Sequence, residues 1–314
     1  MKQLLRLLKN FTLLLLVLFV LDRGIGNIIK HFLLTEKQGD SSILTHALTA
    51  MDEDITIIGS SRAAHHYISS QIEKNTGFIC YNTGRDGTGM TFYLTLLNSI
   101  LSYHTPKVVV LDLNQNDFSL EDNKSEKINS VLLPYIDINT TVRKYLFKEE
   151  PVKAWMANFS MLYRYNSLPA SILQHHIGIG QKNYKGYEPL KGSKIADIPK
   201  DVRNNNDYKE DELLVQKFDS FIKTALKKGI KVLVIISPSL NRMKYNCKKT
   251  ASQILANYNM QLYDYSEYKP TMRSDLFYDR THMNNSGAEL FTQEILTTII
   301  SPLENQYLVN TGSN

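Results

Sequence analysis

The chain is poor in cysteine: its 314 residues include only Cys80 and Cys247. That allows one disulfide at most and excludes a fold stapled by a disulfide framework. Cys80 falls in an apparent strand and Cys247 just beyond another, so buried free thiols are the expected state. Neither has metal-site spacing, and the histidine pairs His65-His66 and His175-His176 are adjacent, so they cannot both face one ion as i, i+4 pairs on a helix do. The stretch His176 to Gly180 lacks the third glycine and the preceding strand of a dinucleotide fingerprint and is read as a loop. No metal and no cofactor are therefore expected.

Excess charge of one sign is also scarce. A formal net charge of +5 is spread over alternating lysine-rich and acidic segments, which does not make the concentrated basic face that nucleic acid requires. With 43% apolar and 21% charged residues, the composition is that of an ordinary globular protein.

Long apolar runs are confined to the amino terminus. Lys2, Arg6 and Lys9 precede an unbroken run from Phe11 to Leu21, the layout of a basic n-region and a hydrophobic h-region. The next residues, Asp22-Arg23-Gly24-Ile25-Gly26, offer no small-x-small cleavage site, and no cysteine lies near residue 20 for lipid attachment. Retention as an anchor is expected. The run alone is too short for about 30 Å of hydrocarbon, which needs roughly 20 residues. Counting on to Ile29 places Asp22 and Arg23 inside, where they can pair or Arg23 can snorkel. The basic start leaves the amino terminus cytoplasmic and the bulk of the chain outside, periplasmic or at the cell surface.

These signals divide the chain into an anchor at 1–34, a polar linker at 35–53, an α/β domain at 54–304 and a tail at 305–314. Strands are expected at 55–58, 78–81, 107–112, 231–237 and 260–265. Helices are expected at about 65–74, 90–103, 208–228, 245–258 and 286–299. The run Val108-Val-Val-Leu-Asp112 has the pattern of a strand covered on both faces. Such alternation argues a three-layer fold, a parallel sheet with helices on both sides. It is interrupted at about 114–207 by an insertion with helical pieces near 140–148, 150–165 and 167–176 and a polar segment at 178–206. Insertions of that length at the carboxyl edge of a strand tend to shape a site.

Gly59-Ser60-Ser61 comes directly after the first strand and lifts a hydroxyl off its carboxyl end, the edge where open α/β sheets bind ligands. A serine there is a candidate nucleophile if a base takes its proton and an acid holds that base in the right tautomer. Asp279-Arg-Thr-His282 supplies both, ahead of a last helix that Asn284 or Ser286 can cap. Gly87, in the glycine-rich turn after the second strand, and Asn116, after the third, offer donors for an oxyanion together with the Ser61 N–H. Arg62 can meet an anionic substrate or pair with an acid. Ser60 and Ser61 can also simply cap the next helix.

Gly59-Ser-Ser61, Asn82 with Gly87, Asn116-Asp117, and Asp279-x-x-His282 followed by Asn284-x-x-Gly287 resemble the four ordered blocks of the SGNH, or GDSL-like, hydrolase superfamily. The resemblance spans about 54–300 and implies a flavodoxin-like sheet. It implies Ser61 as nucleophile, His282 as general base, Asp279 as its orienting acid, and Gly87 and Asn116 as oxyanion donors. Arg62 and Asn82 are secondary substrate-binding candidates. Gly-Ser-Ser-Arg in place of Gly-Asp-Ser looks more like the membrane-anchored DltD- or acetyltransferase-like branches than the secreted lipases. The expectation is an extracytoplasmic serine esterase or O-acyltransferase acting on acyl, foremost acetyl, esters of cell-envelope or extracellular glycans. Its partners would be that ester and, through the anchor, membrane lipid. The alternative is a non-catalytic envelope protein that binds or scaffolds polysaccharide on the same fold.

Overall fold

The structure, a computed structural model, describes residues 1–120, 125–178, 182–195, 208–243 and 246–300, with backbone alone at 125–127 and 176. The tail at 305–314, the end of the loop at 176–180 and much of the polar segment at 178–206 lie outside those residues. The chain divides into two compact units, one of Met1–Thr45 with Asn129–Gln181, the other of His46–Ile128 with Lys182–Asn314.

The helices in chain order begin with α1 (Lys2–Thr35), α2 (Gly39–Thr49), α3 (Ser61–His66), α4 (Ser69–Thr76), α5 (Met90–Ile100) and α6 (Ser125–Leu132). They continue with α7 (Thr140–Glu149), α8 (Pro151–Phe159), α9 (Met161–Arg164), α10 (Pro169–His176), α11 (Glu212–Lys227), α12 (Lys248–Ala256) and α13 (Asn285–Ile295).

In the larger unit, β1 (Ile55–Gly59), β2 (Cys80–Asn82), β3 (Val108–Asp112), β4 (Lys231–Ile236) and β5 (Leu262–Asp264) form one five-stranded sheet in the order β2-β1-β3-β4-β5. Every pairing is parallel, with Ile55 opposite both Cys80 and Val108, Val108 opposite Lys231 and Val234 opposite Leu262. β1 and β3 are buried along their whole length, which is why they read as continuous apolar runs rather than alternating ones. The chain leaves β1 toward β2 and then returns to its other side for β3. The sheet therefore reverses direction beside β1, and the crevice that opens at such a point lies at the carboxyl ends of these strands. Ile57, Val110, Leu233, Phe291 and Ile295 share the core on one side of the sheet. On α11, Phe218, Phe221, Ile222 and Ala225 are buried, the i, i+3, i+4, i+7 stripe of an amphipathic helix.

The structure departs from the sequence reading in several places, among them α6, a helix in the insertion ahead of the pieces expected there. The helix expected at 65–74 is broken into α3 and α4 at Tyr67 and Ile68, where the Ile68 N–H donates to Thr292 Oγ1 at 3.1 Å instead of to a helical carbonyl. The piece at 150–165 is two helices. Ser160 separates them, and its hydroxyl accepts from the Tyr163 N–H to cap α9. The linker at 35–53 contains α2, which buries Ile43, Leu44, Ala47 and Leu48. Cys80 and Cys247 are buried and free.

The smaller unit gathers α1 with α7 to α10. α1 has 34 residues, long and apolar enough to cross a membrane, and its most apolar stretch is wholly outside the protein interior. Asp22 and Arg23 lie 3.7 Å apart, and both are also engaged by protein rather than left to each other. The Asp22 carboxylate accepts from Ser160 Oγ at 2.5 Å and from the N–H groups of Met161 and Leu162, both at 3.0 Å. The Arg23 guanidinium donates to the Phe159 carbonyl. Farther on, Arg164 and Lys30 share Asp137 at 2.6 and 2.8 Å, and Glu36 meets His175 at 2.5 Å.

Candidate active site

β1 ends at Gly59 and the chain turns directly into α3. A Cβ at Gly59 would come within 2.7 Å of the Ala63 Cβ and 2.9 Å of the Asp112 carbonyl oxygen, so only glycine allows strand, helix and β3 to approach this closely. Ser60 is the N-cap, buried, and its carbonyl accepts the Ala64 N–H at 3.1 Å. Ser61 opens the helix half-buried. Of the two serines, the second is the one presented.

The segment Asp279 to His282 forms the tip of a tight turn closed by an antiparallel bridge between Phe277 and Met283. Across it the Tyr278 N–H donates to the His282 carbonyl at 2.9 Å. The Asp279 carboxylate accepts the N–H groups of Thr281 at 2.8 Å and His282 at 2.9 Å, and receives His282 Nδ1 at 3.0 and 2.9 Å. Burial pushes this carboxyl up, but those hydrogen bonds outweigh it and hold its pKa at about 2. An ionised carboxylate can only accept, so the proton sits on Nδ1 and Nε2 is left with its lone pair. His282 Nε2 lies 2.7 Å from Ser61 Oγ, 221 positions away in sequence. The hydroxyl therefore donates to the imidazole.

The turn is anchored beyond His282. The Met283 N–H donates to His66 Nε2 at 2.9 Å, which places the ring's single N–H on Nδ1, 3.0 Å from Ser237 Oγ. Asn284 is the N-cap of α13: its Oδ1 accepts from Gly287 at 3.1 Å, and its amide donates to the Asp275 carbonyl at 2.6 Å. Sequence reasoning weighs His66 only as half of an adjacent pair unsuited to one metal ion and gives it no role in the site. The residue stands beside His65 with nothing local to distinguish them, and its partners come from residues 237 and 283.

Arg62 and Asn82, the secondary substrate-binding candidates, are both buried. Arg62 is fully buried beneath the serine, donating to the carbonyls of Leu113 at 2.7 Å and Ser237 at 3.1 Å, with Asp112 at 3.7 Å. Asn82 is equally buried. Its amide donates to the carbonyls of Ala63 at 2.7 Å and Tyr67 at 3.0 Å, and its oxygen accepts from Gly84 at 2.9 Å. The hydrogen bonds of both side chains go to main chain and hold α3 against the ends of β2, β3 and β4, while Arg62 Nε has no hydrogen-bond partner. Gly87, at φ 68°, and Asn116 lie half-buried on the turns after β2 and β3, the strands on either side of β1. The Asn116 N–H donates to Asn114 Oδ1 at 3.3 Å.

His65 packs edge-on to His282, ring centroids 5.4 Å apart. Its Nδ1–H donates to the Glu188 carbonyl at 2.7 Å and its Nε2 lies 3.4 Å from Asp86. Burial pushes its pKa down, but the bond to Asp86 and the charge on that residue outweigh burial and raise it. His65, Asp86 and Glu188 bring three potential metal-ligand atoms within 4.8 Å of one another, although the Nδ1 of His65 is already committed to a carbonyl.

The fold and this site define a class: α/β proteins in which a hydroxyl, an imidazole and a carboxylate are joined by hydrogen bonds at the carboxyl edge of a parallel sheet. No protein-family model matches the chain, and no curated protein matches it. Among solved structures it is similar to an acetyl xylan esterase, with 12% identity and a TM-score of 0.40 over 78% of this chain and 99% of that one. It is also similar to a two-domain esterase active on acetylated mannans, with 14% identity and a TM-score of 0.36 over 80% of this chain and 48% of that one.

Proposed function

We propose that the chain is a membrane-anchored, extracytoplasmic serine esterase or O-acyltransferase of SGNH type, acting on acyl esters, acetyl foremost, of cell-envelope or extracellular glycans. The observation that carries this reading is the continuous chain of hydrogen bonds from Ser61 Oγ through His282 to Asp279.

As Ser61 Oγ bonds to the ester carbonyl carbon, its proton passes to His282 Nε2, and Asp279 stabilises the imidazolium that results. The charge that develops on the carbonyl oxygen is taken by N–H groups of Ser61 and Gly87 and the side-chain amide of Asn116, which the sheet order brings to neighbouring turns. When the tetrahedral intermediate collapses, the bond to the sugar oxygen breaks and His282 returns the proton to that oxygen, leaving an acyl group on Ser61. In the second half water, or a hydroxyl of another sugar, loses its proton to His282 and attacks the acyl carbon. As this intermediate collapses the bond to Ser61 Oγ breaks, His282 returns the proton to that oxygen, and the acid or the new ester leaves. Hydrolase and transferase differ only in whether water or the hydroxyl reaches the acyl-enzyme. The basic residues Lys2, Arg6 and Lys9 ahead of the apolar part of α1 favour a cytoplasmic amino terminus. The catalytic unit is then outside, where envelope glycans are the accessible esters.

A fluorophosphonate probe tests the nucleophile: the parent should be labelled and Ser61→Ala should not. Absence of labelling in the parent, or equal labelling of both, sinks the assignment and leaves a glycan-binding protein as the reading. Acetate released from an acetylated glycan, compared with acetyl transferred to an added sugar, separates the two acceptor choices.

A further inference from the structure

α8 is built inside out. Ala154 and Ala157 face the interior, whereas Val152, Trp155 and Phe159 are 70%, 62% and 62% exposed, with Met156 and, on α9, Leu162 also exposed. The spacing of 152, 155, 156 and 159 puts the exposed side chains of α8 on one face. Trp155 and Phe159 stack with ring centroids 5.6 Å apart and planes 3° from parallel. Small residues inward and the largest apolar ones outward is the reverse of a helix that packs its apolar face against its own protein and turns the other to water. A contiguous face of this kind marks a surface that something covers.

What covers it is indicated by α1. The unbroken apolar run of α1 ends at Leu21, and at the next residue α1 is clamped to the end of α8. Asp22 caps α9 through Ser160, Met161 and Leu162, and Arg23 holds the Phe159 carbonyl. The clamp leaves no play, because a Cβ on Gly26 would come 2.2 Å from the Met161 Cβ. An acid in an anchor helix is costly in hydrocarbon. Here it is met by three donors from the start of α9, which lets the carboxylate sit near the edge of the hydrocarbon, and α8 lies at that level of α1. The Arg23 guanidinium also lies over the Phe19 ring, 5.0 Å from its centroid, a cation–π contact that partly offsets its charge at the end of the apolar run. Arg143 bonds Asn158, beside Phe159, at 2.9 Å and covers Phe147 at 4.9 Å. Two basic groups thus stand at the carboxyl end of the aromatic helix, a combination also found on helices that lie in a lipid interface.

We propose that α8 is a membrane-surface helix that lies in the headgroup–acyl boundary of the bilayer crossed by α1, with Val152, Trp155, Met156 and Phe159 turned into the lipid. This rests on the reading of α1 as a membrane anchor. The helix fixes the depth and rotation of the anchor, which one span alone leaves free.

Trp155 is the sole tryptophan, so its fluorescence reports on α8 alone. The full chain is reconstituted in phosphatidylcholine–phosphatidylglycerol vesicles whose acyl chains carry bromine either near the headgroup or near the chain end. The shallow label is expected to reduce emission about twofold, the deep label less, and aqueous iodide little. The variant Trp155→Phe with Phe159→Trp moves the reporter one turn along the same face and should give the same pattern. Flotation with vesicles reads the anchor separately. A chain that floats while its tryptophan is quenched by iodide and not by bromolipid overturns the surface helix and leaves the anchor standing. A tryptophan shielded from both quenchers means that protein, such as a second copy of the chain, covers the face, and also overturns it. A chain that does not float removes the anchor and this proposal with it.

Discussion

The Met283 N–H donates to His66 Nε2 at 2.9 Å, tying the residue after His282 to the helix that opens with Ser61. That bond exists only while His66 is neutral, since a proton on Nε2 would face a donor. Burial, followed by the charges of Arg62 and His282, holds the His66 pKa well below the ordinary histidine value.

Stability should therefore fall on the acid side. Below a pH of about 6.5 the unfolded chain takes up a proton on His66 that the folded chain refuses, so this contribution is lost as pH drops, at up to ~1.4 kcal/mol per pH unit. His65, with its raised pKa, works in the opposite sense. The comparison is thus between parent and His66→Gln, by denaturant unfolding in detergent at pH 7.5 and 5.5. The parent should lose more stability than the variant on acidification, and equal losses would refute the role given to His66.

Asp279→Asn should reduce ester hydrolysis on the order of 10³-fold, because an amide can offer His282 Nδ1 a donor and favour the wrong tautomer. The loss should fall short of the roughly 10⁴ seen when the aspartate is buried, since the Asp279 side chain is 39% exposed. With its pKa at about 2, Asp279 stays ionised at any working pH. The acid limb of the parent's pH–rate profile should consequently lie well above that value.

Arg62→Met should cost about 3–5 kcal/mol, the range for removing one partner of a buried charge pair, because Asp112 beside it is fully buried. Asp112 would still accept from Tyr67 at 2.9 Å and from the Ser237 N–H at 3.0 Å. Changing it to asparagine in the same chain should thus recover part of the loss. Unfolding of the two single variants and the double variant measures this, and additive losses would count against the pairing.

Asn82→Ala should destabilise by about 1–3 kcal/mol, the cost of leaving buried polar groups unmet, here those of Ala63, Tyr67 and Gly84. Its KM for an ester substrate should stay within about twofold of the parent, as expected of a residue that contributes no binding energy to substrate. A large rise in KM with stability unchanged would restore Asn82 as a binding residue.

Much of the sheet can be read without coordinates because its signal is local. Val108 to Leu111 and Ile55 to Ile58 are apolar runs that only a strand covered on both faces requires. α2 is legible in part: Ile43, Leu44, Ala47 and Leu48 carry a helical period that the polar residues around them obscure. The break between α3 and α4 is not, since the group that ends α3 is Thr292, 224 positions from Ile68.

By itself the sequence determined the alternation of strands and helices, the apolar run that begins the chain, and the presence of a serine, a histidine and an acid on turns able to carry chemistry. These arise from period, propensity and turn residues, which are properties of neighbours along the chain. The tertiary structure alone decided what each polar side chain faces. It set the 2.7 Å between Ser61 and His282, turned Arg62 and Asn82 inward, and gave His65 and His66 different partners. It also placed Asp22 on α9 instead of leaving it to its neighbour. A hydrogen bond is fixed by two groups at about 3 Å, and for Ser61, Arg62, His65 and His66 the second group comes from a distant part of the chain.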